Sequence, residues 1–248
     1  MHLFELLLAG LGVGTVFGLF GAGGSAFATP LLALMGVPPI LAVASPLPAM
    51  VPASFTGARR HVRNGTFDRR VAVLAVAGGV PGAAIGALVS SFVGGTALLV
   101  LSGAMLIAVG LRVAWPDRGT DRSACAARCA NPWIVAGGAF GVGLLTGLLA
   151  NGGGFLLVPL FIVGFGLAAS VAAGTSMVVV GVLAVPTLVL HLALGHIDWT
   201  VALVFGAGVI PGSMIGANFS ARLPDVIARR AFGALLVTFA VVFLAFIA

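Results

Sequence analysis

The chain has 248 residues, of which 60% are hydrophobic and only 7% are charged. Soluble domains carry charge on roughly a quarter of their residues, so this composition excludes a soluble globular protein. The formal net charge of +6 comes from arginines, since the chain contains no lysine. We therefore expect a single membrane domain that uses the whole chain.

Eight apolar segments follow one another along the sequence. They span residues 3–36, 40–58, 71–91, 95–114, 133–165, 168–192, 199–219 and 228–247. A helix needs about 20 apolar residues to cross the hydrocarbon core, and the segments lack the alternation of a membrane β-barrel. The predicted fold class is all-α, a polytopic helical membrane protein. The first and fifth segments are too long for one simple span and contain glycines, which predicts broken helices there.

The sequence contains an internal duplication. Residues 12–30, GVGTVFGLFGAGGSAFATP, align without gaps with residues 141–159, GVGLLTGLLANGGGFLLVP. After one inserted residue, HVRNGTFD aligns with HLALGHID, and PGAAIGA aligns with PGSMIGA. Three matched blocks in the same order indicate two homologous halves, 1–114 and 133–248, joined by a linker at 115–132. Secondary transporters are commonly built from such repeats.

The arginines indicate how the halves are oriented. All twelve fall within residues 59–70, 112–128 and 222–230, and the positive-inside rule places these clusters, and with them the linker, in the cytoplasm. The loop near Gly195 matches the first cluster but carries no arginine, whereas the uncharged turn SSFVGG matches the third. This exchange favours inverted repeats with both termini outside the cytoplasm. Parallel repeats with both termini inside are the alternative.

The clusters GAGGS and NGGGF are predicted to interrupt helices, because glycine is permissive in its backbone angles. A helix that restarts after such a cluster presents free N–H groups and a partial positive charge, which suits an anion. Pro30 and Pro159 follow the clusters and are read as helix-break prolines. The residues expected to hold a small anion at these helix starts are Gly23, Gly24, Ser25, Asn151, Gly152, Gly153 and Gly154.

Hydroxyl side chains further along each half are candidates for the same path. Ser45 lies in AVASPLP, and Thr175 and Ser176 lie in AAGTSMV. They either line the path or bond to the backbone of their own helix, as serine and threonine often do in membranes.

His61 and His191 end the second apolar stretch of each half and are candidates for a proton or substrate relay. In the alternative that we favour, each is a cation at a helix C-terminus. Gly65 or Gly195 then forms the turn, and the aspartate of the motif, Asp68 or Asp198, caps the next helix.

Other glycines are expected to allow close packing of helices, notably those of GLGVGTVFG and the two PGxxIGA elements. Cys125 and Cys129 lie in the linker, and as a metal site this pair is two ligands short. We therefore expect neither a metal nor a cofactor.

The sequence resembles the TauE/SafE sulfite exporter family of bacterial inner-membrane proteins. The resemblance rests on the glycine clusters followed by proline, on AGTS at 173–176 and on the paired H-x-x-x-G-x-[FI]-D elements, and it covers nearly the whole chain. It implies transport of sulfite, a sulfonate such as sulfoacetate, or a related organic anion. The first half departs from the pattern, because GAGGS replaces a glycine triplet and ASPLP stands where the second half has GTS.

The function expected from these features is secondary transport of a small anion across the bacterial inner membrane by alternating access. The expected partners are the anion and the lipid bilayer, without nucleic acid, and homodimer formation is left open. Two alternatives belong to other classes. One is an intramembrane serine hydrolase that uses Ser25 and a histidine, and the other is a cation or metal carrier.

Overall fold

The computed structural model describes residues 3–21, 25–90, 92–93, 95–114, 131–149, 154–220 and 222–247. The predicted all-α fold is confirmed, since the regular elements in these ranges are helices. Among the described residues, six spans are long and apolar enough to cross a membrane by length and composition. Helices suit this setting because a backbone in lipid must satisfy its own hydrogen bonds. The linker predicted at 115–132 lies almost entirely outside the described residues.

Six helices form the first half. They are α1 (Leu3–Phe20), α2 (Ser25–Leu34), α3 (Pro39–Ala44), α4 (Leu47–Arg63), α5 (Arg69–Ser90) and α6 (Gly95–Ala114). The second half contains α7 (Pro132–Leu149), α8 (Gly154–Pro159), a π-helical turn (Leu160–Gly164), α9 (Ala169–Ala193), α10 (Trp199–Ser220) and α11 (Asp225–Ile247). The first long apolar segment contains α1 and α2, and the fifth contains α7 and α8. Residues 22–24 and 150–153, where the breaks at the glycine clusters are predicted, lie outside the described ranges.

Two central helices, α4 and α9, run antiparallel. The backbone N–H of Asp68, beyond the end of α4, donates to Oγ1 of Thr175 near the start of α9 at 3.0 Å. Reciprocally, the N–H of Asp198 beyond the end of α9 donates to Oγ of Ser45, just before α4, at 2.9 Å. Each helix therefore ends beside the beginning of the other.

Glycines bring α1 and α10 into backbone contact. Gly10, Gly14 and Gly18 recur every four residues along α1 and face α10. A Cβ atom on Gly10 would collide with the backbone of Phe205. One on Gly18 would collide with that of Ser213, so the two helices run parallel. The packing role predicted for GLGVGTVFG is confirmed for these positions.

The PGxxIGA elements make the same kind of contact. Gly82 and Gly86 of α5 face the backbone of α7, and Gly212 and Gly216 of α10 face that of α1. Close approach through small residues is the usual way in which membrane helices gain packing without a hydrophobic driving force. The pairs α1–α10 and α5–α7 flank α4 and α9, while α6 packs against α11.

Candidate functional site

The first glycine cluster begins with a residue that must be glycine. Gly21 ends α1 with a φ of 67°, in the left-handed region, where other residues are strained. A Cβ atom there would also collide with the backbone of Ala173 in α9. The end of α1 is thus fitted directly against the AGTS stretch of the other half.

The predicted anion-binding residues are only partly described by the structure. Ser25 and Gly154 are the first residues of α2 and α8. These two helices, which occupy equivalent positions in the two halves, contact each other. The remaining five residues lie outside the described ranges, namely Gly23, Gly24, Asn151, Gly152 and Gly153.

The two prolines do not mark the breaks. Pro30 lies inside α2, and Pro159 is the last α-helical residue before the π-helical turn. Both stand at the sixth residue of their helix, so the missing N–H removes a single intrahelical bond. A π-turn directly after Pro159 is one way in which a helix absorbs that loss. Because α2 continues past Pro30 to Leu34, Pro30 does not end this helix.

Ser176 ties the AGTS stretch to the first glycine cluster. Its buried hydroxyl donates to the carbonyl of Gly21 at 3.1 Å and shares the proton with the carbonyl of Ala173, in its own helix, at 2.9 Å. The bond to its own helix is the second of the two alternatives given above, whereas a role in the anion path stays a prediction.

Ser45 and Thr175 play matching roles in the two halves. Both side chains are fully buried and accept the N–H groups of Asp198 and Asp68, respectively. These two hydrogen bonds link the halves at opposite ends of the α4–α9 pair. Ser45 and Thr175 thus hold the turns that follow α9 and α4.

The turns themselves follow the favoured prediction. Gly65 and Gly195 have φ angles of 71° and 69°. The Oδ1 atom of Asp68 accepts the N–H of Val71 at 3.0 Å, and Asp198 caps α10 in the same manner. The glycine turns and aspartate caps are therefore confirmed.

Both histidines lie in the last turn of a helix, where the favoured prediction puts them, and both rings are buried. His61 Nε2–H donates to the carbonyl of Gly18 in α1 at 3.3 Å, since a carbonyl can only accept. The hydroxyl of Thr66 donates to Nδ1 at 2.9 Å in the neutral ring. Both ring nitrogens of His61 form hydrogen bonds within the fold, so His61 is poorly suited to take a proton from a nucleophilic Ser25.

His191 has a different environment. Its Nδ1 lies 3.2 Å from Nδ1 of His196, which stands where the first half has Thr66. Its Nε2 is buried without a hydrogen-bond partner among the described residues. A buried polar nitrogen without a hydrogen bond is costly, which distinguishes His191 from His61.

A small cavity lies beside the end of α1. Its volume is about 20 Å³, and its lining includes Phe20, Ser170, Ala173, Ser220 and Phe232. That space suffices for about one water molecule. A sulfite-sized anion would require the surrounding helices to separate.

Sequence reasoning missed the cross-half hydrogen bonds. A signal was available, because Ser45 and Thr175 are separated by the same 130 positions as Asp68 and Asp198. If the two equivalent helices are antiparallel, this equal spacing brings Thr175 to the turn at Asp68 and Ser45 to the turn at Asp198.

Comparison with known proteins identifies relatives over almost the full length. The family model described as Sulfite exporter TauE/SafE matches residues 6–243. A "Probable membrane transporter protein" of Xylella fastidiosa (strain 9a5c) is 30% identical over 237 residues, covering 92% of this chain and 90% of that protein. The "Probable membrane transporter protein YunE" of Bacillus subtilis (strain 168) is 25% identical over 246 residues, or 90% of each chain. No solved structure matches the chain.

These names describe membrane transporters, and the six apolar spans found here are those of a multi-pass membrane protein. The family match covers both glycine clusters, the AGTS stretch and both histidine-to-aspartate motifs. The chain belongs to the sulfite exporter TauE/SafE family.

Proposed function

We propose that the protein is a secondary transporter that moves a small anion, such as sulfite, a sulfonate like sulfoacetate, or a related organic anion, across the bacterial inner membrane. The observation that carries this proposal is the contact between α2 and α8. Each helix begins directly after a duplicated glycine cluster, and α8 continues through the π-turn to Gly164. We propose that the starts of these two adjacent helices present their N–H dipoles to an anion without a buried lysine or arginine.

Alternating access follows from an inverted arrangement of the halves. The antiparallel course of α4 and α9, which are equivalent in the duplication, supports inversion. An inverted pair can exchange the conformations of its halves, which opens a central site first to one face and then to the other. The cavity of about 20 Å³ beside the end of α1 is too small for such an anion, so we expect these helices to move apart during transport.

The orientation in the membrane rests on the arginines. Arg60 and Arg222, from the first and third clusters, line one depression and therefore lie on the same face. Most of the second cluster, 112–128, lies outside the described residues. With that face in the cytoplasm, both termini lie outside it.

Ligand-dependent thermal stabilisation of the purified protein in detergent tests the proposal. The panel contains sulfite, thiosulfate, sulfoacetate, taurine and simple carboxylates, with metal cations as controls. A ligand present at 100 times its dissociation constant stabilises by about 2.7 kcal/mol, which is readily measured. We expect a selective rise in Tm with a sulfur oxyanion or a sulfonate.

Gly153→Leu should abolish this rise, because a bulky side chain would fill the second glycine cluster. Gly137→Leu is the matched control, since Gly137 is exposed on α7 and a Cβ atom there meets nothing within 4 Å. Stabilisation by cations alone, or unchanged anion affinity in Gly153→Leu, would contradict the anion site.

A further inference from the structure

A groove rich in arginine lies between the C-terminal ends of α4 and α10. It consists of two adjoining depressions of about 190 and 480 Å³ that share Arg60 and Asn218. The arginines and asparagines that line it define the basic groove, namely Arg59, Arg60, Arg63, Asn64, Asn218 and Arg222. The proposed anion path through the glycine clusters makes no use of these residues.

The arginines of the groove are not neutralised by the protein. Within the described ranges, Arg59, Arg60, Arg63 and Arg222 form no salt bridge with a carboxylate. Guanidinium groups present planar arrays of N–H donors that match the oxygens of a phosphate group. The amides of Asn64 and Asn218 add uncharged donors to the same space. The groove therefore offers charge and hydrogen bonds to an anionic group from outside.

The duplication shows that the fold does not require these polar side chains. The residues at the equivalent positions of the other half are Val189, Leu190, Ala193, Leu194, Leu88 and Phe92. Of these, Val189, Leu88 and Phe92 are 60%, 57% and 89% exposed, which suits a surface in contact with lipid. If these arginines served only to orient the helices in the membrane, their position near the membrane boundary would be sufficient. That role would require neither the two asparagines nor an open groove.

The lower wall of the groove is apolar. Met214, Ile215 and Phe219 line it from α10 and are 51%, 44% and 54% exposed. The polar rim lies where α4 and α10 end, at Arg63 and Ser220. Met214 and Ile215 lie about one helical turn before Asn218, so they start deeper in the spanning segment than the polar rim, whereas Phe219 is next to Asn218. Basic pockets between membrane helices on the cytoplasmic side suit anionic headgroups.

We propose that the basic groove binds the phosphate headgroup of an anionic phospholipid, with one acyl chain lying against Ile215 and Phe219. The site is separate from the proposed anion path. Its ligand is a resident of the membrane and is not transported.

Lipid binding to the purified protein tests this site. Phosphatidylglycerol is added to the detergent-solubilised protein, with phosphatidylcholine as the neutral lipid, and the change in Tm and the lipid retained in native mass spectrometry are measured. We expect phosphatidylglycerol alone to raise Tm and to remain bound. Arg60→Gln combined with Arg222→Gln should weaken this binding about 30-fold, as expected for two basic contacts to an anionic lipid.

Two further variants distinguish lipid binding in the groove from a general attraction between arginines and anionic lipid. Arg69→Gln combined with Arg230→Gln removes the same charge from exposed positions outside the groove and should leave binding unchanged. Asn218→Leu keeps the charge, introduces the residue found at the equivalent position of the other half, and should also weaken binding. Equal weakening in the Arg69 and Arg230 double variant would overturn the proposal.

Soluble anions are the remaining ligands tested in this binding experiment. Inorganic phosphate and glycerol 3-phosphate should stabilise far less than phosphatidylglycerol, because they lack the acyl chain. Equal stabilisation by glycerol 3-phosphate would indicate a soluble phosphate ligand and overturn the lipid assignment. The sulfur-anion panel is run on the same variants. Loss of its response in Arg60→Gln with Arg222→Gln, with lipid binding unchanged, would assign the groove to the transported anion instead.

Discussion

At the scale of single residues, His61 and His191 show how one motif acquires two environments. Both lie in the last turn of a central helix, and both are buried. The Nε2–H of His61 donates to the carbonyl of Gly18, whereas Nε2 of His191 has no hydrogen-bond partner among the described residues. Because α4 and α9 are antiparallel, the two rings also lie toward opposite faces. We therefore propose that His191, together with His196, is the relay between the proton gradient and the anion.

The relay predicts different defects in the two histidine variants. In proteoliposomes, His191→Gln should lose the stimulation of anion transport by an imposed pH gradient but retain anion exchange. His61→Gln should mainly lower Tm in detergent, because the variant breaks two hydrogen bonds within the fold. A full response to the pH gradient in His191→Gln would argue against the relay.

At the scale of helices, glycine spacing determines which faces can approach. In α1, Gly14 faces the backbone of α10, whereas a Cβ atom on Gly12 meets nothing within 4 Å. Gly14→Ala should therefore destabilise the protein by about 1–3 kcal/mol through overpacking. Gly12→Ala should leave Tm unchanged or raise it slightly, since alanine is the better helix former. Thermal unfolding in detergent measures both changes.

The second half supplies the control for this prediction. Gly143 and Gly141 of α7 occupy the positions equivalent to Gly14 and Gly12, and only Gly143 faces a neighbouring backbone, that of Gly79. The alanine variants should repeat the same pair of effects. If Gly12→Ala and Gly14→Ala lowered Tm by similar amounts, the glycines that face a neighbouring backbone would not determine the packing.

At the scale of the whole molecule, inversion makes a prediction about the two faces of the membrane. Asn64 and Leu194 are equivalent and exposed, and each follows the end of a central helix. With Cys125 and Cys129 replaced by serine, Asn64→Cys should resist a membrane-impermeant maleimide in intact cells, whereas Leu194→Cys should react. The physical reason is that antiparallel spanning helices end on opposite faces.

Labelling of both positions after cell disruption is the control for reactivity. If the two cysteines were labelled from the same side in intact cells, the halves would be parallel. The arginines of one cluster would then lie on the unfavoured face, against the positive-inside rule.

Much of the fold could be predicted from the sequence because the bilayer imposes simple requirements. Apolar length predicted where helices run, and the glycine clusters predicted where the two long segments divide. The turns at Gly65 and Gly195 and the caps at Asp68 and Asp198 followed from local chemistry. Local chemistry did not predict the place of every residue. Pro30, for example, was expected to break a helix but lies inside α2.

Hydropathy, residue spacing and glycine content act locally along the chain, so they were enough to predict a helical membrane protein with two similar halves and a glycine cluster in each. The tertiary structure alone decided that Thr175 holds the Asp68 turn, that Ser176 reaches Gly21, and that Arg60 and Arg222 share a groove. These contacts join residues far apart in the sequence. Their geometry depends on how antiparallel α4 and α9 bring the two halves together, which no local pattern specifies.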